Sequence, residues 1–509
     1  MIFVPFVVKN DKSQLDNNRL ESRMTQEDKA RESIATVDRF FSLIDSGDLF
    51  TGSDPLSHRN LRSDVLSALS YLLYWGRPIL EEARGVTWPY DGLQKRYHIL
   101  RELAEGKKNS SLQRQALFFL ALLPFPRQWS NLFKVEALYR DDVEIRSFLS
   151  AEKQKVSDRL QKKVQKEYKL RHFCQVLKAP GKENEKGVLR IFALPYLMAN
   201  SMLFRQLNRR YILYVEPPWG VVFRHTWLRN LSTAEDACVF GVGSADDILF
   251  LNSQPQMVPT PLAHGDYLSE NDAVVLDQRK EYDFVFNSTY DDIPRKRHEL
   301  MLELLQHQLL MDKKALFLGR GRQKNVDQFK SLVSRAGLED RVTVMANILR
   351  QDIPSQLGGC KIGVHLSLNE NGCRSLYEYF RSDLPCVISS SMPGTHLDIF
   401  NAQTGLAVTD NELPEAIAFV LTHRDQFAPR RWFLENSGSS RSSQKLNRFL
   451  KQLFKKLGYA WRDDIVPLLS GGPNRYANPS DYERFREEFL WIFGCLKNVG
   501  NIPFKIVLD

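Results

Sequence analysis

The sequence predicts an α/β protein, with two parallel-sheet units in tandem behind an all-α N-terminal region and ahead of a helical tail. Three observations predict it. Apolar residues before about residue 185 recur on helix periods. From Val188 short apolar runs alternate with segments of helical length, as parallel-sheet units require. After about Gln444 the helical period returns. The expected boundaries are 1–185, 186–280, 281–443 and 444–509, and 509 residues suffice for several cores.

In the first region, 61–75 and 112–123 are apolar on one helical face, punctuated by Gly76-Arg-Pro78 and Pro124-Phe-Pro126. Val156, Leu160 and Val164 form a stripe on a segment crowded with Lys153, Lys155, Arg159, Lys162, Lys163, Lys166 and Lys169. It reads either as a solvated face with one packed stripe or as a basic helix lying on an anionic membrane or polymer. The polar, breaker-rich stretch 179–187 is the expected linker. Beyond it, 189–194, 211–215, 237–242 and 257–261 read as the four strands of a small unit. A second unit follows, with strands at 283–289, 315–318, 342–345, 362–368, 386–389 and 406–408. Helices are expected at 297–310, 326–336 and 373–381. The chain has no internal repeat and no low-complexity tract.

Composition is that of an ordinary globular chain, 43% hydrophobic and 26% charged, which excludes a disordered or fibrous protein. A formal charge of +9 points to an anionic partner: nucleic acid, an anionic membrane face or a phosphorylated substrate. The six cysteines lack a C-x-x-C pair and read as free thiols of a reducing compartment. No basic region precedes the short apolar run of MIFVPFVVKNDK, which argues against a cleaved signal peptide. The longest strongly apolar stretch, 116–125, falls short of the ~20 residues of a membrane span. A soluble, cytoplasmic protein is expected, with peripheral contact at the inner face of a membrane left open.

The chemistry concentrates after the strand 362–368. Glu370 and Glu378 stand eight residues apart, one at a strand exit and one within the following helix, with Gly372 between them. Ligands of open α/β sheets sit beyond the carboxyl ends of strands, where helix N-termini attract anions. Two carboxylates flanking such an anion would accept hydrogen bonds from hydroxyls on either side, the layout of a nucleotide sugar. Asn371, Gly372, Cys373, Arg374 and Ser375 form the connecting loop, whose backbone N–H groups would approach a diphosphate. Lys296, between Arg295 and Arg297 in Pro294-Arg-Lys-Arg-His298, offers a positioned cation for a departing diphosphate. Gly319 and Gly321 turn the chain after the strand 315–318.

These features occur in one order: the basic cluster, the glycine pair, the two glutamates, Asp383-Leu-Pro-Cys-Val387 and Thr404-Gly-Leu406. In that order residues 282–422 resemble the nucleotide-binding domain of retaining glycosyltransferases of the GT-B fold, the family of bacterial lipopolysaccharide and capsule glycosyltransferases. The resemblance implies a GT-B-like pair of Rossmann-type domains preceded by the all-α region. It implies transfer of a sugar from a nucleoside-diphosphate sugar to a hydroxyl acceptor, with retention. Glu370 would contact the donor sugar, Glu378 the ribose hydroxyls, and Lys296 with Arg295 or Arg297 the diphosphate. The family more often has an aromatic residue and then glycine where this chain has Gly372 and Cys373.

The small unit would hold the acceptor, a glycan, lipid-linked glycan or other surface polymer. Its candidates are Glu216, Trp219, His225 and His264, with His264 or a carboxylate as proton acceptor and Trp219 as a stacking surface. No D-x-D pair stands at a strand end, so neither metal nor cofactor is expected. Homo-oligomers through the N-terminal helices are left open. Two other readings stand beside the transferase: an inactive GT-B-fold protein that binds a glycan or partner, and a basic nucleic-acid-binding protein, although the sequence has no stacking-aromatic or zinc module and no nucleic-acid partner is expected.

Overall fold

The computed structural model describes residues 26–51, 55–74, 76–85, 88–106, 110–122, 135, 138–151, 168–191, 201–217, 234–252, 256–368, 370–392, 394–470, 476–499 and 506–508. The stripe at Val156, Leu160 and Val164 lies outside them, as do Trp219 and His225.

The N-terminal region is helical, with α1 (Gln26–Asp45), α2 (Leu61–Tyr74), α3 (Arg77–Arg84), α4 (Trp88–Glu105) and α5 (Ser110–Leu122). On α1 the buried Ala30, Ile34, Val37, Phe41 and Ile44 follow the i, i+3/i+4 rule. These side chains form one contiguous apolar cluster with the first sheet and the C-terminal tail. The region is packed into the body of the molecule.

The first sheet has five strands, one more than the sequence reading gave. They are β1 (Cys174–Lys178), β2 (Gly187–Ile191), β3 (Tyr211–Val215), β4 (Cys238–Gly241) and β5 (Met257–Thr260), in spatial order. β1 runs antiparallel to β2 and the rest are parallel. The stretch 179–187 therefore joins two strands of one sheet and does not separate domains. Glu183 and Asn184 take positive φ to make its turn. β1 escaped notice because Gln175 and Lys178 interrupt its apolar run, although all five of its residues are buried.

The second sheet comprises β6 (Tyr282–Asn287), β7 (Ala315–Gly319), β8 (Val342–Ala346), β9 (Cys360–His365), β10 (Cys386–Ser389) and β11 (Gly405–Val408). All its pairings are parallel, in the order β11-β10-β9-β6-β7-β8. Successive strands step outward one way from β6 to β8 and the other way from β9 to β11. The switch point lies between β6 and β9, where open sheets of this winding bind their ligands. Apolar clusters cover both faces.

Four further helices matter to the site and the tail: α6 (Ser201–Arg210), α7 (Arg374–Arg381), α8 (Ser439–Leu457) and α9 (Arg486–Val499). The tail returns to the first unit, where α6 meets α9 through an ion pair of Arg210 with Glu488 at 2.7 Å.

Candidate functional site

The site is built at the carboxyl ends of β6 and β9. β6 ends at Asn287, whose amide side chain donates to Glu378 Oε2 at 3.1 Å. Glu378 lies on α7, one turn after Arg374, and the two pair at 2.9 Å. Ser375 Oγ donates to the carbonyl of Asn287 at 3.0 Å, fastening the start of α7 to the end of β6. Glu378, 4% exposed, thus stands beside the switch point with both carboxylate oxygens engaged.

Glu370 forms a second cluster. Its carboxylate takes a short contact from Lys296 and lies 3.5 Å from Arg295 and 3.3 Å from His365 Nε2. Burial works to raise this carboxyl, but Lys296, the His365 hydrogen bond and Arg295 outweigh it and hold it well below the usual range. Burial lowers His365, and the Cys373 thiol, 3.3 Å away, and Glu370 overcome that and raise it. Arg295 is itself fixed by Asp292 at 2.5 Å, and its carbonyl accepts from Leu368 N at 2.8 Å. Lys296 and Glu370, far apart in sequence, therefore meet because the turn after β6 packs on the exit of β9.

His365, Glu370 and Cys373 present nitrogen, oxygen and sulfur atoms within 4.8 Å of one another. A divalent cation there would have to displace Lys296 and sit beside Arg295, so the group is better described as an ion-pair cluster.

The remaining sequence candidates fall in four places. Arg297 sits in the left-handed region at φ 56° and binds Asp410, away from Glu370. Gly319 and Gly321 have no positive φ; a Cβ on Gly319 would lie 1.9 Å from the carbonyl oxygen of Ser288. Their role is close approach of the β7 loop to residues 288–290.

The loop after Glu370 faces the first unit. A Cβ on Gly372, at φ 57°, would stand 2.1 Å from that of Ala263. Its N–H donates to the carbonyl of Gly394, and its carbonyl accepts from Gly265 N, both at 3.0 Å. The Asn371 side chain donates to the carbonyls of Pro217 (2.6 Å) and Gly241 (3.2 Å) and accepts from Gly243 N (3.0 Å). Asn371 and Gly372, expected at a diphosphate, are thus spent on the junction between units. The approach that glycine permits here is to a neighbouring backbone.

Across that junction Glu216 and His264 come together. Glu216 follows β3 and takes a bidentate grip from Arg190, at 3.0 and 2.9 Å. Burial raises its carboxyl, but Arg190 and His264 more than offset this and keep it below its ordinary value. Its Oε2 lies 3.4 Å from His264 Nδ1, and Ser470 Oγ lies 3.2 Å from His264 Nε2. Both ring nitrogens are engaged.

Sequence reasoning missed Asn287, His365, Gly394, Arg190 and Ser470. Asn287 and His365 carried a signal, each a polar residue at the carboxyl end of an apolar strand. Gly394, at φ 80°, is needed because a Cβ there would lie 1.4 Å from the carbonyl oxygen of Glu370. Nothing local marked Arg190 or Ser470.

Two parallel-sheet units meeting along a junction, with the carboxylates at the switch point of the second, is the GT-B arrangement. Residues 277–431 match the family model described as Glycosyl transferases group 1. No curated protein matches the chain. Among solved structures, a point mutant of S. aureus TarM in complex with fondaparinux, alpha-GlcNAc-glycerol and UDP shares 16% identity at TM-score 0.39, over 48% of this chain and 51% of its own. Sucrose-phosphate synthase from Thermosynechococcus elongatus shares 15% at 0.43, over 53% and 74%. Anabaena HepE in complex with UDP shares 13% at 0.42, over 52% and 78%. This chain spans about half the length of the first of these. At such identities the likeness says nothing of what the chain acts on. No helix among the described residues is long and apolar enough to cross a membrane.

Proposed function

We propose that the protein transfers a sugar from a nucleoside-diphosphate sugar to a hydroxyl of a glycan or lipid-linked acceptor, with retention and without a metal. The observation that supports it most is the pair of buried carboxylates, Glu370 and Glu378, flanking the switch point of the segment that matches the group 1 glycosyltransferase model, beside Lys296 and Arg295.

In this reading Glu378 exchanges its Asn287 hydrogen bond for ribose hydroxyls and keeps Arg374 as its countercharge. The diphosphate lies between Lys296 and the start of α7, where the helix N-terminus favours an anion. Glu370 is released from Lys296 to orient the sugar, its charge still balanced by Arg295 and His365. The bond from the anomeric carbon to the phosphate oxygen breaks while the acceptor oxygen forms the new one. Charge on the departing diphosphate is met by Lys296 and Arg295, positioned beforehand by Glu370 and Asp292. Arg297 has no part, being held by Asp410. His264 is a positioned group on the acceptor side, and it takes the acceptor proton only when Ser470 yields its bond.

The test is a thermal-shift panel of nucleoside diphosphates followed by a release assay with their sugars. Stabilisation grows as RT ln(1 + [L]/Kd), so the preferred base gives the largest shift. An absence of any shift together with no release of nucleoside diphosphate overturns the reading.

A further inference from the structure

We propose that the exposed face of α8 is an electrostatic docking surface for an anionic lipid bilayer. The helix carries six cations, Arg441, Lys445, Arg448, Lys451, Lys455 and Lys456, and no carboxylate. All six are exposed. At about 100° per residue they fall within an arc of roughly 140°. That arc lies opposite the buried Leu446, Leu450, Leu453 and Phe454. From first to last the strip is about 22 Å long.

Among the described residues none of the six forms an ion pair with a carboxylate, whereas other surface arginines do, such as Arg209 with Glu235 and Arg431 with Glu435. Arg441 and Lys445 donate to the carbonyls of Leu434 and Asn436, which end a neighbouring helix, and Lys445 also works against the burial that raises the Asp266 carboxyl, without forming an ion pair with it. Lys451 contributes to holding Asp464 low, after the Asn447 and Trp461 hydrogen bonds. Arg448, Lys455 and Lys456 face outward.

A helix shaped only for solubility mixes signs. This one sets like charges at i, i+3 and i+4 (Arg441 and Lys445, Lys445 and Arg448, Arg448 and Lys451, Lys451 and Lys455), an arrangement that repels itself in water. An anionic plane relieves the repulsion. Because the apolar side of α8 is already buried, the contact is one of charge without insertion. The cations project from one convex face, which suits a plane; single-stranded polyanions are held in grooves with stacking aromatics.

The helix starts beside the cleft. Ser439 N donates to the carbonyl of Leu268 at 2.9 Å, next to the turn that carries His264. If the transferase reading holds, docking through α8 brings the acceptor side toward the lipid surface where a lipid-linked hydroxyl resides.

The test is co-flotation of the full chain with vesicles of phosphatidylcholine, with and without about one quarter phosphatidylglycerol, at low and high salt. Binding is expected to anionic vesicles only and to weaken with salt. The triple variant Arg448→Gln, Lys455→Gln, Lys456→Gln should bind on the order of a hundredfold more weakly. It should retain the wild-type melting temperature and nucleoside diphosphate response, since none of the three touches the site. Equal binding to neutral vesicles, no binding to anionic ones, or a variant that floats like wild type overturns the proposal. Capture of soluble polyphosphate without flotation also overturns it, in favour of a polymer. Failure here leaves the transferase reading untouched, because flotation requires no turnover.

Discussion

Replacing Asn371 by alanine should loosen the junction between the two sheet units by about 2–4 kcal/mol. The figure follows from the partners left behind. Gly243 N–H and the carbonyl of Pro217 each lose a full-length hydrogen bond, at 3.0 and 2.6 Å, and the carbonyl of Gly241 loses a longer one, at 3.2 Å. A buried group stripped of its partner costs about 1–3 kcal/mol, and water entering from the cleft recovers part of the sum. A chain with several packed units need not unfold in one step, so one melting temperature is a poor reporter. Hydrogen exchange at the Gly243 amide reads the junction directly, and about 2 kcal/mol accelerates it roughly thirtyfold. Asn371→Asp is the control. It keeps an acceptor for Gly243 but sets a second oxygen against two carbonyls. Burial and those carbonyls raise its folded pKa above the unfolded value, so its penalty is present at neutral pH and is relieved as pH falls below the folded value. If Asn371→Ala leaves exchange unchanged but abolishes nucleoside diphosphate binding, the side chain serves the donor and the junction argument is wrong.

Other perturbations separate the roles of the charged groups. Lys296→Met should lower transfer by about a hundredfold or more, the scale set by losing a preorganised electrostatic donor. Its stability cost should fall below the ~3–5 kcal/mol of a fully orphaned buried charge, because Glu370 keeps Arg295 and His365; release assays and urea midpoints measure the two effects. Glu378→Ala should abolish the thermal shift with nucleoside diphosphate, while Glu370→Ala keeps most of it and loses transfer; the reverse pattern exchanges their roles. His298, stacked on Phe317 and packed among Phe286, Phe329 and Tyr290, has its pKa driven by burial from 6.5 to about 3. Its neutral ring contributes stability that is complete above about pH 6.5 and drains as pH falls toward 3, by about 2 kcal/mol at pH 5. Urea midpoints against pH should show that slope in wild type and lose it in His298→Phe; parallel curves would clear His298 of the effect.

Strand alternation, the two glutamates and the basic turn after β6 were legible because each is written in local sequence. Buried parallel strands are unbroken apolar runs, and polar residues at their carboxyl ends mark the ligand side. Less legible was anything decided by a partner far away in the chain. Asn371 looks like a phosphate-loop residue until the carbonyls of Pro217 and Gly241 are placed beside it. Arg297 looks equivalent to Arg295 until its left-handed backbone turns it to Asp410. β1 reads as part of the helical region because its pairing with β2 depends on a turn whose Glu183 and Asn184 take positive φ without a glycine at either place.

The resting arrangement of the site constrains how a donor enters. Lys296 already holds Glu370, and Arg374 with Asn287 already holds Glu378. No carboxylate of the pair waits uncompensated, so binding must proceed by exchange of partners. Exchange is favourable only where the incoming group restores the charge balance it disturbs. A diphosphate meets that condition for Lys296, and sugar or ribose hydroxyls alone do not, since they can replace hydrogen bonds but not a countercharge. A free sugar should therefore bind far more weakly than a nucleoside diphosphate, and the diphosphate should be what frees Glu370 for the sugar.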